Sequence, residues 1–177
     1  IRVNGSDPST TGTDNGTDLV IHSTPTDPAS ASVNPTTVCS GASTITLTAT
    51  GGSAGSSGGE LKWYEGGCGT GTYIGSGNGV TVTRTLTSST TFYCRWESIS
   101  CGNSACASTT VTVNDNPTAP TSATVSPASV CSGESTTFTL TYEGGSAGSS
   151  GGELKWYEGS CGTGTYIGSG NGVTVTR

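Results

Sequence analysis

Residues 51–84, GGSAGSSGGELKWYEGGCGTGTYIGSGNGVTVTR, recur at residues 144–177 with one difference, Gly67 against Ser160. Each copy joins a glycine- and serine-rich run to short segments in which apolar and polar residues alternate. Strict alternation places every second side chain on one face of a β-strand. The stretch therefore predicts short β-strands separated by turns, and it predicts them twice.

The repetition continues upstream of these copies. Residues 38–41, VCSG, recur at 130–133, so the offset is 92 there and 93 after an inserted residue near position 142. A period of about 92 residues fits a complete domain repeated in tandem and is too long for a solenoid unit. Residues 25–116 are predicted to form one complete domain, 1–24 the last two strands of a preceding domain, and 117–177 the first strands of a following one.

Partial domains at both ends have two explanations. In the first, the chain is a window of a long repeat protein, which also fits a start at Ile1 without a signal peptide. In the second, the end strands complete the sheets of a neighbouring subunit, as in donor-strand assembly.

Seven short apolar alternations are found within residues 27–116, and no helical period is present. They lie at 31–33, 45–49, 61–64, 73–74, 80–86, 92–96 and 111–113. Residues 51–59 are interpreted as a flexible Gly/Ser loop, and Trp63 as the core tryptophan. The pattern predicts an all-β fold of tandem immunoglobulin-like antiparallel β-sandwich domains, stapled by disulfides.

Composition excludes several classes of protein. Six Lys and Arg residues oppose twelve Asp and Glu residues, and the six are scattered singly, which argues against nucleic-acid binding. No apolar run approaches the roughly 18 residues of a membrane-spanning segment. Charged residues make up 10% of the chain, far below the roughly one quarter of ordinary globular proteins. We expect an ordered extracellular protein.

The seven cysteines favour disulfides over zinc, because no pair has CxxC spacing and His22 is the sole histidine. Sandwich topology places the connections that carry Cys39 and Cys68 at the same end, and it places Cys101 and Cys106 in one hairpin at the other. The predicted bonds are Cys39–Cys68, Cys101–Cys106 and Cys131–Cys161. Cys94 is the odd thiol, which alternation directs inward as a small hydrophobe; an inter-strand or inter-domain bond is the alternative.

Several segments together resemble one known repeat type. They are VSPASVCSGES at 125–135, LKWYEGSCGTG at 154–164, TTFYCR at 90–95 and CGNSACASTTVTV at 101–113. The type is the tandem Ig-like repeat of very large bacterial surface proteins, notably the gliding-motility adhesins of Bacteroidota. The resemblance implies export, through the type IX pathway, to the cell surface, and a role as an adhesin or surface filament. The chain departs from the type at Cys94, where such repeats carry an apolar residue, and residues 1–24 lack the two hairpin cysteines.

Catalytic groups are scarce. His22 stands next to Ser23, but no acid is placed to orient it, and residues 27–116 contain no histidine. Glu60 and Glu65 are predicted to lie at opposite ends and on opposite faces of one strand. We expect no enzyme activity and no cofactor.

Two binding sites are considered. Asp14, Asn15 and Asp18 cluster at a predicted hairpin tip, which suits calcium but is also ordinary turn chemistry. Tyr64, Tyr73, Tyr157 and Tyr166 are predicted to point outward, and so is Trp96 if its strand slips by one residue. Exposed aromatics of this kind are a candidate platform for glycans or proteins, but single exposed tyrosines on a strand more often cover neighbouring side chains.

The sequence thus favours a mechanical role. Tandem sandwiches joined by short linkers with Pro25, Pro28, Pro117 and Pro120 would form a semi-rigid extracellular stalk or filament. Its partners would be neighbouring repeats, or identical chains in a filament. Two alternatives remain: a weak glycan- or protein-binding repeat that acts by avidity, and an accessory module of a secreted glycan-degrading enzyme.

Overall fold

The computed structural model describes residues 21–177, and within that range it consists of strands and turns without a helix. None of the described residues therefore forms a helix long enough to cross a membrane. The predicted all-β fold is confirmed. Residues 21–114 contain nine strands: β1 (Ser30–Asn34), β2 (Thr37–Cys39), β3 (Gly41–Thr50), β4 (Glu60–Glu65), β5 (Thr72–Ser76), β6 (Val80–Leu86), β7 (Thr90–Ser98), β8 (Gly102–Asn103) and β9 (Ala107–Asn114).

These nine strands form two sheets. One has the order β1-β3-β6, and the other has the order β2-β9-β7-β4-β5, with β8 paired to β7. Burial alternates along β3, where Ile45, Leu47 and Ala49 are buried and the residues between them are not. In the other sheet, Trp63 of β4 lies opposite Cys94 of β7, and both are fully buried. Each sheet thus has one buried face, as in a β-sandwich.

The centre of the core is Trp63. It is completely buried, and its indole N–H donates to the carbonyl O of Gly77 at 3.0 Å, so its single polar atom is satisfied. The other large, fully buried side chains are Ile45, Leu47, Phe92, Cys94 and Val111. Every one of them belongs to an alternation recognised in the sequence.

The short strand β2 was not predicted. It pairs in parallel with the end of β9, from Thr37 opposite Thr112 to Cys39 opposite Asn114. A three-residue strand offers too little alternation to be recognised, so the sequence was interpreted there as a connection. The pairing fixes where Cys39 lies.

Five further strands follow: β10 (Ser122–Ser126), β11 (Thr137–Glu143), β12 (Lys155–Glu158), β13 (Thr165–Ser169) and β14 (Val173–Thr176). They form a sheet of order β10-β11-β14 and the hairpin β12-β13. The hairpin repeats the register of β4-β5, including the irregularity after the tryptophan. Trp156 donates to Gly170 O at 2.8 Å, as Trp63 does to Gly77.

Backbone proximity divides the chain into two compact units. Among the described residues, the first unit contains 21–33, 46–82 and 91–110, and the second contains 34–45, 83–90 and 111–177. Each unit contains one proline-bearing segment and one glycine-rich loop.

Candidate functional site

In the first unit, linker residues 21–28 lie along the Gly/Ser loop 51–59, and we call this pair of segments the first linker cradle. Thr26 and Ser53 exchange two backbone hydrogen bonds, with N–O distances of 3.0 and 3.3 Å. Their hydroxyl oxygens lie 3.0 Å apart. The loop that the sequence predicts to be flexible therefore contacts residues 21–28 through hydrogen bonds.

Gly55 shows why the loop must be rich in glycine. Its φ is +68°, and a Cβ at this position would lie 2.4 Å from the carbonyl O of Ser23. A side chain is thus excluded both by conformation and by contact. Next to it, Ser56 donates its backbone N–H to Ser23 Oγ at 2.9 Å, and Ser23 N–H donates to Ser56 Oγ at 2.8 Å.

The second unit contains the same arrangement, formed by residues 114–120 and 144–152, which we call the second linker cradle. Thr118 and Ser146 exchange two backbone hydrogen bonds, with N–O distances of 2.9 and 3.2 Å. Gly148 has a φ of +70°, and its added Cβ would lie 2.4 Å from Asp115 O. The two cradles thus share the paired backbone hydrogen bonds and the close approach to a glycine, at the sequence offsets of 92 and 93.

The cysteine pairing differs from the prediction. Cys68 forms a disulfide with Cys106, with Cα atoms 6.1 Å apart, so the predicted Cys39–Cys68 and Cys101–Cys106 bonds are wrong. The loop after β4 folds back over β7: a Cβ at Gly69 would lie 2.1 Å from a guanidinium nitrogen of Arg95. This path takes Cys68 to the start of β9.

Cys39 lies at the other end of the same strand. It is exposed and free, and it pairs with Asn114, the last residue of β9, whereas Cys106 precedes the first. An eight-residue strand separates the two positions. Cys39 therefore does not lie beside Cys68, because β2 pairs with the end of β9 and carries Cys39 there.

The remaining cysteines are free thiols. The predicted Cys131–Cys161 bond is not formed, and both residues are exposed. Cys161 stands in the position of Cys68, and the sequence contains no counterpart of Cys106 to pair with it. Cys94 is buried and free, on the inward face that its alternation predicts, and burial raises its pKa to about 11.

A charged cluster covers the outer face of β4 and β7. Glu97 accepts from Tyr64 Oη at 2.6 Å and Arg95 Nε at 2.7 Å, and it pairs with Lys62 Nζ at 3.2 Å. Partial burial opposes ionisation of Glu97, but these three hydrogen bonds outweigh it and hold its pKa below the ordinary value. The hydrogen bond to Glu97 likewise raises the pKa of Lys62.

A pocket of about 520 Å³ lies beside the glycine-rich loop of the first unit, and its lining includes Glu60, Asn78 and Trp96. The Trp96 indole N–H is buried and has no hydrogen-bond partner. An unpaired buried donor of this kind costs about 1–3 kcal/mol. A ligand or solvent oxygen that accepted from it would relieve that cost.

Comparison with known proteins adds one finding to this geometry. Residues 25–114 match the family model of the Ig-like domain, CHU_C associated. The chain belongs to this Ig-like family. A search of curated proteins finds no match. The Ig-like assignment agrees with the sandwich and the disulfide described above, and it fits a structural or adhesive role outside the cell.

The aromatic side chains considered as a binding surface differ in how exposed they are. Tyr73 and Tyr166 are about half exposed, as predicted. Tyr64, predicted to be exposed, is buried: its ring stacks edge-on against Tyr73 at 5.9 Å, and Arg95 lies 5.8 Å from its centroid. Trp96 keeps the face of Phe92 and Cys94, so no register slip exposes it.

The catalytic and metal candidates do not assemble. His22 Nδ1 lies 3.1 Å from the carbonyl O of Ser56 and is part of the first linker cradle. Glu60 lies opposite Glu97 at one end of β4, and Glu65 lies opposite Phe92 at the other. Asp14, Asn15 and Asp18 lie outside the described residues. Within 21–177 no group of three His, Cys, Asp or Glu side chains could hold a metal ion.

The linker cradles were the part of the site that sequence reasoning missed. Their signal is present, since Pro25, Thr26 and Pro28 recur as Pro117, Thr118 and Pro120, one residue further from the second glycine-rich copy than from the first. What the sequence could not give is that the two segments touch.

Proposed function

We propose that the chain is part of a non-catalytic extracellular stalk or filament in which Ig-like domains follow one another in tandem. In this arrangement residues 25–116 are one domain, residues 117–177 begin the next, and residues 1–24 end the preceding one. The observation that supports it is the recurrence of the linker cradle. Each linker lies on the glycine-rich loop of the domain that it enters, so it acts as a docked connector.

The cradle explains how such a stalk would be stiff without long linkers. A linker with two backbone hydrogen bonds and no room above Gly55 or Gly148 has few conformations left. The fixed φ of Pro25 and Pro117 reduces the number further. Repetition then sets the reach of the stalk, and the Cys68–Cys106 bond limits how far a domain can be extended.

A matched pair of glycines tests the docking. Gly55→Ala places a methyl group against Ser23 O, whereas Gly58→Ala has the same strained φ, +72°, with open space around its Cβ. Both substitutions are strained by the positive φ, but only Gly55→Ala also displaces the linker. We expect amide hydrogen exchange at Thr26 and Ser53 to accelerate at least tenfold in Gly55→Ala and to change little in Gly58→Ala. Equal exchange in the two variants would refute the docked linker.

Stretching single molecules tests the mechanical role itself. While the Cys68–Cys106 disulfide is intact, the loop of 38 residues that it closes cannot be extended. At about 3.4 Å per residue, reduction should add about 130 Å to the extended length of the domain. An unfolding event that releases no extra length on reduction would contradict a load-limiting disulfide.

A second function, weak binding that acts by avidity, is favoured by the Trp96 pocket. Its unpaired indole N–H and the nearby carboxylate of Glu60 suit a ligand rich in hydroxyl groups, such as a glycan. A glycan array probed with the chain and with Trp96→Phe, which removes the N–H donor together with part of the indole ring, separates the two functions. Binding that disappears in Trp96→Phe supports the binding repeat; no binding by either form supports the stalk alone.

A further inference from the structure

Cys101 lies at the first linker cradle. It is half-buried, and its Sγ is 4.0 Å from the carbonyl O of His22. The neighbouring Ala105 N–H donates to the Asp27 carboxylate at 2.7 Å, so this loop is held against the linker from two sides. Cys101 therefore belongs to the end of the domain that the linker enters.

Cys39 lies at the second linker cradle. Within the second unit it pairs with Asn114, and the following Ser40 N–H donates to Asn114 O at 2.8 Å. The side-chain amide of Asn116 donates back to Ser40 O at 2.7 Å. Since paired strands lie about 4.8 Å apart, the Cys39 backbone is that close to Asn114.

Cys101 and Cys39 lie beside corresponding residues when the two linker cradles are compared. Asn114 is the counterpart of His22, and the backbone bridge four residues after each, Thr26–Ser53 and Thr118–Ser146, recurs in both units. In a domain that completes the second copy, the counterpart of Cys101 would approach Asn114 O as Cys101 approaches His22 O. Cys39 already lies beside that residue, so both thiols would approach Asn114; a disulfide between them requires Cα atoms within about 7 Å.

We propose that Cys39 of each domain forms a disulfide with the counterpart of Cys101 in the next domain, so that successive domains are joined by covalent bonds as well as by the chain. The proposal rests on the tandem arrangement of the proposed function. In the reaction both thiols lose their hydrogen and one S–S bond forms. The two electrons and two protons reduce a disulfide oxidant, such as oxidised glutathione, to two thiols.

This assignment accounts for all five cysteines of residues 25–116. Cys68 and Cys106 are bonded to each other. Cys94 is fully buried, and a pKa raised to about 11 leaves little of the reactive thiolate. Cys39 and Cys101 remain, one at each end of the domain and each beside a linker. Residues 1–24 contain no cysteine, so Cys101 has no such partner within this chain.

The test extends the full chain after Arg177 with a copy of residues 85–116, which completes the second domain and supplies counterparts of Cys94, Cys101 and Cys106. The extended chain is refolded with reduced and oxidised glutathione, labelled at free thiols, and digested without reduction. Of its ten cysteines, the proposal leaves four free (Cys94, its counterpart, Cys101 and Cys131), whereas six stay free without the inter-domain bond.

Mass spectrometry should find Cys39 joined to the copy of Cys101, and that peptide should vanish in Cys39→Ser. The matched control is Cys131→Ser, which changes the counterpart of Cys39 in the second domain and should leave the cross-link intact. A Cys68–Cys106 peptide in every sample confirms folding. Free Cys39 in a sample that contains the Cys68–Cys106 bond overturns the proposal.

Small-angle scattering of the same extended chain separates this proposal from the stalk. A rigid, extended particle without the cross-link supports the proposed stalk and refutes the inter-domain disulfide. A flexible particle without the cross-link refutes both proposals.

Discussion

Two nearly identical stretches, residues 51–84 and 144–177, have different surroundings. Trp63 is fully buried and Trp156 is half-buried; Cys68 is in a disulfide and Cys161 is an exposed thiol. What stays the same is local: the hairpin register, the indole hydrogen bond, and the edge-on tyrosine pair at 5.9 and 6.0 Å. What differs depends on β7 and β9, which cover only the first stretch.

The comparison teaches that this sequence specifies its hairpin by itself but its burial only through distant strands. The β4 strand is paired on both edges, to β5 and β7. The β12 strand, among the described residues, is paired on one edge, to β13.

The largest expected difference concerns the two tryptophans. Trp63→Ala should lower the free energy of unfolding by about 3–5 kcal/mol, because it leaves a cavity at the centre of a closed core. Trp156→Ala should cost about 1 kcal/mol, because solvent already reaches that side chain. Amide hydrogen exchange, measured separately in β3 and β11, checks both variants. Equal losses would mean that burial does not distinguish the two stretches.

The disulfide gives the next largest effect. Cys106→Ser opens a loop of 38 residues and should cost about 3–4 kcal/mol on the chain-entropy account. Cys101→Ser removes a thiol of the same hairpin that is unbonded in this chain, so it should cost less than about 1 kcal/mol. Urea unfolding followed by near-ultraviolet circular dichroism measures both. A larger loss in Cys101→Ser would favour the pairing predicted from the sequence.

The cysteines show where sequence reasoning stopped. The alternation of apolar and polar residues located every long strand and placed Cys94 in the core, because a repeat of two residues is a local property of the chain. Pairing depends on which strands are neighbours and how loops cross them. The parallel contact of β2 with β9, and the return of the loop after β4 over Arg95, leave no local pattern. The same is true of the cradles, whose glycines were interpreted as flexibility and are in fact needed for close approach.

The charged cluster should make the first domain sensitive to acid. Since the pKa of Glu97 is lowered in the folded state, its contribution is present above the ordinary carboxyl pKa of about 4.3 and is lost as the pH falls through the lower folded value. Glu97→Gln should cost about 1 kcal/mol at pH 7, a value reduced for partial exposure, and nothing at pH 2. Urea midpoints at the two pH values measure this, with Glu153→Gln, an exposed carboxylate of the second stretch, as the control. A pH-independent loss would contradict an ionic role.

The smallest effect is expected at the single position where the two stretches differ. A Cβ at Gly67 would lie 2.8 Å from Thr70 Oγ1, which is the end of a side chain that can rotate away. The second stretch carries Ser160 there and keeps the turn: Gly164 N–H donates to Ser160 O at 2.8 Å, as Gly71 does to Gly67 O at 3.1 Å. Gly67→Ser should therefore change the free energy of unfolding by less than about 0.5 kcal/mol. It should also leave the Cys68–Cys106 bond formed, since Ser occupies this turn without altering its hydrogen bond. A loss of that bond in Gly67→Ser would mean that the glycine, and not the cover of β7 and β9, explains why Cys68 is bonded and Cys161 is free.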